Sequence, residues 1–390
     1  MRFLDKIYPF SLIQTKLLVL CLMLMLLDYG GYGYYVFFLS LAFLWYHKVF
    51  KLIDKTFFLL LFWGLSYGII LLINNSPFNY GTILVPIINC PVLYLAGKYI
   101  VKQNGIKSLP HIIFVFALSL AFISILSVFI DIQKNGFLTT AAGRNIPFIG
   151  LGSLSTIAAT GISSRLMPLV LFFICVFLPI DKKVKILIVA CSILALICGV
   201  RIQSRTLILS LTMGVIIVAL TNWSRFTYKQ KNNFLIIFIF VIFIVIYIFS
   251  NYSSELRVIE RFQSEELESG GGRSYRLMAV ARNMFTYPLG NMPSRITFAH
   301  NMWFDCARVV GIFPFSLLVM LSIVYAKNVL LAIRKMRHDI LLRNIIIFQS
   351  FLLLVVFFSE PILEGIPMLF QYFCLLYGMV SIFNKGKNVV

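Results

Sequence analysis

Residues 111–132 read HIIFVFALSLAFISILSVFIDI, and this stretch decides the class of fold. Its 22 residues include one fully charged side chain, that of Asp131. A helix needs about 20 apolar residues to cross the hydrocarbon core of a bilayer, so the stretch predicts a membrane span. The whole chain of 390 residues supports this, because 60% of it is hydrophobic and 12% is charged. An average soluble protein carries about 25% charge.

About a dozen such runs occur along the chain. They predict an all-α polytopic membrane protein with about 12 transmembrane helices and two longer loops. The first nine helices and loop 133–165 fall within 1–250, the large loop is 251–305, and the last three helices lie within 306–390. The predicted spans are 12–28, 32–47, 56–74, 81–99, 111–132, 166–180, 186–200, 206–221, 234–250, 306–326, 345–360 and 368–384.

The net charge of +20 fits a membrane topology better than nucleic-acid binding. With both termini cytoplasmic, 22 of the 34 lysines and arginines fall on inner segments, as the positive-inside rule requires. The composition argues against a cytosolic enzyme, and the seven cysteines show neither a C-x-x-C pair nor zinc spacing. We therefore expect no metal, no cofactor and no nucleic-acid partner.

The basic residues expected outside differ in kind from those inside. Eleven of the twelve are arginine, whereas most of the inner ones are lysine. Topology needs only positive charge, but a guanidinium also matches the geometry of phosphate and carboxylate. The bias indicates an anionic ligand at the outer face. The twelve are Lys134, Arg144, Arg165, Arg201, Arg205, Arg257, Arg261, Arg273, Arg276, Arg282, Arg295 and Arg308.

Five of these arginines are candidate ligands for the anion. Arg201 and Arg205 stand at i and i+4 in a short outer turn, where the alternative is that they only snorkel to the interface. Arg273 and Arg276 follow three glycines and open a predicted amphipathic helix. Arg144 lies on the other long loop. A glycine run is also commonly just a flexible linker.

His300 is the candidate for acid–base chemistry. It is the one histidine of four that the topology places outside, and imidazole exchanges a proton near neutral pH. Asn301 beside it has an amide that can bind a sugar hydroxyl. A lone histidine is more often structural than catalytic. The nearby acids are Asp28, Asp305, Glu360 and Glu364.

An ordered set of short motifs resembles the O-antigen polymerase and O-antigen ligase superfamily. The set is Gln203-Ser-Arg-Thr206, Gly272-Arg273, Pro288-Leu-Gly290, His300-Asn301 and Gly311. The resemblance implies a GT-C-like glycosyltransferase whose donor is a glycan on undecaprenyl pyrophosphate. It assigns the pyrophosphate to Arg205 and Arg273, then to Arg201, Arg276 and Arg144. It gives His300 a catalytic or acceptor-positioning role and leaves Asn301 as a substrate contact.

Within this superfamily, the modest loop sizes favour a polymerase that extends a surface polysaccharide at the periplasmic face of the bacterial inner membrane. A ligase that passes the glycan to lipid A-core is the alternative within the family. A transporter, for instance a flippase of lipid-linked oligosaccharides, is the alternative from another class. The expected partners are the lipid-linked oligosaccharide, a chain-length regulator and a flippase.

Overall fold

The structure is a computed structural model, and it describes residues 13–27, 41, 49–74, 83–137, 145–149, 156–170, 181–202, 204–229, 231, 232, 234–236, 239, 243 and 273–384. Within these ranges the chain is an all-α membrane protein. Six of the described helices are long and apolar enough to cross a bilayer. Large apolar side chains stand exposed on their outer faces, for instance Leu220 at 76% and Ile323 at 64%, which suits a surface in contact with lipid.

The helices and strands of the described residues follow one another in this order. They are α1 (Ile13–Leu27), α2 (Lys55–Ile73), α3 (Cys90–Asn104), α4 (Leu109–Asn135), β1 (Asn145–Pro147), β2 (Thr156–Ala158), α5 (Ala159–Val170), α6 (Lys182–Arg201), α7 (Arg205–Asn222), α8 (Arg273–Asn283), α9 (Met302–Val310), α10 (Ile312–Lys335), α11 (Ile340–Ser359), α12 (Ile362–Gly365) and α13 (Pro367–Ser381). A π-helical turn, Val85–Asn89, leads into α3, and short 3₁₀ turns occupy Val49–Leu52, Ile106–Ser108, Trp223–Arg225 and Ile382–Asn384.

Most predicted spans in the described part of the chain coincide with a helix to within a few residues. The span 306–326 is wrong, because two helices share this stretch and meet at Gly311. Gly311 has a φ of +83°, a conformation that ends α9 and redirects the chain into α10. The predicted spans 32–47, 166–180 and 234–250 lie largely outside the described residues.

Loop 133–165 is shorter than the sequence predicts. Helix α4 runs through Asn135, and α5 begins at Ala159. Between them β1 and β2 pair as an antiparallel hairpin, with Ile146 opposite Ile157. Arg165, expected on an outer loop, therefore lies in α5, where it is 4% exposed and its guanidinium stacks over Phe148 with 4.8 Å to the ring centroid.

Two helices at the centre of the bundle pack backbone against backbone. A Cβ added to Gly97 in α3 would lie 2.1 Å from the carbonyl oxygen of Leu375 in α13. One added to Gly378 would lie 1.9 Å from the carbonyl oxygen of Tyr94. Small residues permit this close approach, which drives helix association in lipid, where the hydrophobic effect between helices is absent. The contact holds α13 in place behind the segment that carries the site.

The described part of loop 251–305 is a folded unit. The predicted amphipathic helix at 273–285 is confirmed as α8, which ends at Asn283. Val280 and Met284 of α8 pack with Met292, Ile296 and Ala307 in a small apolar cluster of their own. This cluster attaches the segment to α9 and so sets the position of Arg273 relative to His300.

Candidate active site

The segment Pro288–Gly290 is fastened to the junction between α9 and α10. The backbone N–H of Ile312 donates to the carbonyl of Pro288 at 3.0 Å. A Cβ on Gly311 would lie 2.0 Å from the same carbonyl oxygen, so no larger residue fits. Two of the motifs that carry the family resemblance, Pro288-Leu-Gly290 and Gly311, thus form a single backbone contact.

Asn74 at the end of α2 strengthens this contact. Its side-chain N–H donates to the carbonyl of Leu289 at 2.9 Å and to that of Val309 at 3.1 Å. One amide therefore joins a membrane helix, the segment Pro288–Gly290 and α9. This segment is held to the bundle by directional bonds as well as by apolar packing.

Asp305 shapes the backbone around His300. Its carboxylate accepts the N–H of Ala299 at 2.7 Å and that of Asn301 at 3.1 Å, one on each side of the histidine. His300 has a φ of +52°, in the left-handed region that residues other than glycine rarely adopt. A residue held in this region at such a place is typical of functional sites, where surrounding bonds offset the strain.

Asn301 has a structural role in the described geometry. Its side-chain oxygen accepts the N–H groups of Trp303 and Phe304, both at 3.2 Å, and so caps the N-terminus of α9. The side chain is 2% exposed. The side-chain oxygen of Asn301 is thus committed to the helix, and it places His300 immediately outside the helix start.

Glu360 brings together the two predicted residues that matter most. One of its oxygens lies 3.7 Å from a guanidinium nitrogen of Arg273, and the other lies 3.8 Å from Nδ1 of His300. The carboxylate is 1% exposed, whereas the side chains of His300 and Arg273 are 23% and 41% exposed. Neither oxygen of Glu360 has a hydrogen-bond partner within the described residues. We call these three residues the Glu360 site.

A second layer of charge lies behind the Glu360 site. Arg308 donates to the carboxylate of Glu364, with one contact at 2.7 Å, and its Nε lies 3.6 Å from Asp305. Burial raises the pKa of Asp305, and the N–H groups of Ala299 and Asn301 partly offset the rise. Burial likewise raises the pKa of Glu364, and Arg308 opposes the rise. Of these three acids, Glu360 is the one whose carboxylate oxygens accept no hydrogen bond within the described residues.

This arrangement suits proton transfer beside an anion. A buried carboxylate next to imidazole orients the ring, and the open face of the ring remains available to a substrate. The exposed guanidinium of Arg273 can bind a phosphate without leaving Glu360 unpaired, since it has donors on two sides. Among the described residues, no three His, Cys, Asp or Glu side chains are placed to hold a metal ion.

Of the other predicted arginines, Arg201 and Arg276 form no ion pair with Glu360, and Arg144 and the Arg205 side chain lie outside the described residues. Arg201 is 2% exposed and pairs with Asp131 of α4 at 2.5 Å. Arg205 is the first residue of α7, after the cap formed by Ser204, and its side chain lies outside the described set. Arg144 also lies outside it. Arg276 is half-buried one turn after Arg273, and no carboxylate of the described residues lies within 4.0 Å of it.

An apolar cleft begins next to the Glu360 site. Its volume is about 270 Å³, and it runs between α10 and α11. Two of its lining residues are close in sequence to the Glu360 site. Trp303 follows Asn301 by two residues, and Phe357 precedes Glu360 by three. Leu330 and Leu354, further along the helices, are 57% and 47% exposed, so the cleft opens on the lipid-facing surface.

Sequence reasoning named Glu360 among the nearby acids and gave it no role. The signal that could have singled it out is its position directly after the 20 residues of α11, which contain no acid. An acidic group at the end of such a helix is costly unless it has a partner or a function. Its pairing with Arg273 and His300 depends on chain folding and has no signature in local sequence.

Comparison with known proteins adds no family assignment, because no protein-family model matches the sequence and no curated protein is significantly similar to it.

Proposed function

We propose that this chain is a membrane glycosyltransferase of the O-antigen polymerase kind. It would transfer a growing glycan from undecaprenyl pyrophosphate onto a second lipid-linked repeat unit. The proposal sets the protein in the bacterial inner membrane with the Glu360 site facing the periplasm. The single observation that carries it is the meeting of Arg273 and His300 at one buried carboxylate.

The chemistry asks for one base and one anion-binding group, and the Glu360 site has both. The acceptor hydroxyl oxygen bonds to the anomeric carbon of the donor while the bond from that carbon to the pyrophosphate oxygen breaks. The hydroxyl proton passes to His300, whose Nδ1 faces Glu360 and whose Nε2 then accepts it. The electron pair of the broken bond leaves with the polyprenyl pyrophosphate.

Arg273 supports the leaving group in this scheme. Negative charge grows on the pyrophosphate oxygens as the sugar departs, so a guanidinium there stabilises the transition state more than the bound donor. Its side chain is exposed enough to reach a ligand. Arg276 adds a second guanidinium one turn further along α8.

The apolar cleft offers a path for the lipid part of a substrate. A polyprenyl chain needs an apolar channel that is open sideways to the bilayer, and the cleft has both properties. Two of its lining residues, Trp303 and Phe357, are each three positions in sequence from His300 and Glu360, respectively, so a chain seated there would bring its pyrophosphate towards Arg273. This continuity favours a lipid-linked substrate over a water-soluble one.

The test is the polysaccharide of a strain that lacks the chain. The strain is complemented with the wild type, with His300→Gln or with His338→Gln, the control being an exposed histidine in the turn after α10. We expect single repeat units on lipid A-core in the deletion strain and with His300→Gln, and full-length polymer with His338→Gln. All three proteins are quantified in the membrane fraction.

Other outcomes would replace this proposal. Lipid-linked polymer that never reaches lipid A-core would indicate the ligase. Repeat units that remain on the cytoplasmic leaflet would indicate a flippase. Normal polymer in the deletion strain would overturn the enzymatic role.

A further inference from the structure

Three arginines converge at the end of α11 opposite the Glu360 site. Helix α11 has 20 residues and is therefore about 30 Å long, with Arg343 near its start and Glu360 directly after its end. Near Arg343 lie Arg225, in the turn that ends α7, and Arg337, in the turn between α10 and α11. We call these three residues the arginine cluster.

Specific bonds hold the arginine cluster together. A guanidinium nitrogen of Arg225 donates to the carbonyl of Arg337 at 3.1 Å. One of Arg343 donates to the carbonyl of Thr221 at 3.4 Å, four residues before Arg225. The neighbouring Asn222 donates to Asn344 at 3.0 Å and locks the two helix ends together. The guanidinium of Arg343 lies within electrostatic range of both Arg225 and Arg337.

No acidic group of the described residues compensates this charge. None of the ion pairs there includes Arg225, Arg337 or Arg343. Asp339, the nearest acid in sequence, caps α11 by accepting the N–H of Leu342 at 3.0 Å. A cluster of like charges that is fixed by structure and lacks a counter-ion is built for an anion that comes from elsewhere.

Two buried donors add to this. The Nε of Arg343 is shielded from solvent and has no hydrogen-bond partner in the described part of the chain. Asn344 is 1% exposed. Its side-chain oxygen accepts one hydrogen bond, whereas its side-chain nitrogen has no partner in the described part of the chain. Buried donors normally have partners, and the Nε of Arg343, which belongs to the cluster itself, is a donor that a ligand with acceptor oxygens would satisfy.

The surroundings identify the membrane as the source of that ligand. Trp223, two residues before Arg225, is 40% exposed and has the Lys231 ammonium over its ring at 5.6 Å. Leu220, one turn earlier, is 76% exposed. An exposed tryptophan between apolar and basic residues is typical of the depth at which lipid headgroups lie.

We propose that the arginine cluster binds the phosphate headgroup of an anionic phospholipid. The site is independent of the proposed glycosyl transfer, because it lies at the far end of α11. The headgroup oxygens accept from Arg343 and its neighbours and take the place of the missing carboxylate. The lipid thereby fastens α7 to α11 at this end of the bundle.

The test measures lipid retained by the purified full-length protein. Native mass spectrometry in detergent counts bound cardiolipin and phosphatidylglycerol on the wild type, on Arg225→Gln/Arg337→Gln/Arg343→Gln, and on a control with the same loss of charge. The control is Lys182→Gln/Lys183→Gln/Lys185→Gln, whose lysines open α6. We expect the arginine variant to retain at least tenfold less lipid and the control to match the wild type.

A single variant guards against misfolding of the triple one. Arg337 is exposed, so Arg337→Gln should leave the fold intact and still weaken lipid retention severalfold. Equal loss in the arginine and lysine triple variants would mean diffuse charge attraction and would overturn the proposal, as would no loss in either. Displacement of the lipid by millimolar inorganic phosphate or pyrophosphate would overturn the membrane as the source.

Discussion

The two ends of α11 handle positive charge in opposite ways. Around the Glu360 end, Arg273 lies near Glu360 and Arg308 pairs with Glu364, and elsewhere in the bundle the buried Arg201 pairs with Asp131. At the Arg343 end, Arg225, Arg337 and Arg343 lie close together, and none of them forms an ion pair with a carboxylate of the described residues.

This difference separates two uses of arginine. A buried charge is tolerated when a partner compensates it, so the paired arginines are stable without a ligand. Like charges that are held close together repel one another, and a bound anion relieves that repulsion. The pairing at Glu360 leaves its histidine and arginine partly exposed, which suits a site that must bind and release substrate. The arginine cluster suits a ligand that stays.

Among variants at the two ends of α11, Glu360→Gln should have the largest effect on glycosyl transfer. Removing the carboxylate deprives His300 of its orienting partner, so transfer should fall by about 10²-fold to 10⁴-fold. Asp339→Asn at the other end of the same helix keeps its capping ability and should leave transfer unchanged. Polymer length and yield in complemented cells provide the measurement. Equal activity of both variants would remove Glu360 from the mechanism.

The next effect concerns stability and tests whether a buried arginine and its carboxylate partner stabilise the fold as a pair. Arg201→Gln leaves Asp131 buried without its ion partner and should cost about 3–5 kcal/mol. Adding Asp131→Asn should recover much of that loss, because no uncompensated charge remains. Thermal unfolding in detergent, followed by tryptophan fluorescence, compares the single and double variants. If the double variant is no more stable than the single one, the pair is not coupled.

Arg273→Lys tests the guanidinium itself. A lysine keeps the charge but loses the planar fork, so transfer should fall about tenfold while the protein level stays unchanged. The matched control is Arg282→Lys, an exposed position in the last turn of the same helix. A fall that is the same for both variants would point to the general charge of α8 and away from a specific contact of Arg273.

The smallest effect should come from Asn301. Replacement by alanine removes the cap of α9 and should cost about 1 kcal/mol, whereas aspartate retains the cap. Because the cap positions His300, the alanine variant should also lose activity modestly. Parallel measurement of unfolding temperature and polymer yield distinguishes this role from the predicted sugar contact. A sugar contact would make aspartate as harmful as alanine without any loss of stability.

Much of the candidate site could be anticipated from local sequence. The glycines before Arg273 predict a helix start there, and α8 begins at that residue. The single histidine expected outside predicts the place of chemistry, and the structure sets His300 beside a buried acid. The partner could not be anticipated, since Glu360 comes from a different helix. Likewise, nothing local to Arg201 shows that Asp131 on α4 will pair with it.

The amino-acid sequence by itself determined that this is a helical membrane protein, because long apolar runs have no other stable place than lipid. It also determined where α8 begins, because glycine and capping preferences act over a few residues. Only the tertiary structure decided that one run breaks at Gly311, that Arg273 and His300 meet Glu360, and that three arginines gather without a counter-charge. Such contacts join residues far apart along the chain, and their geometry follows from how whole helices pack.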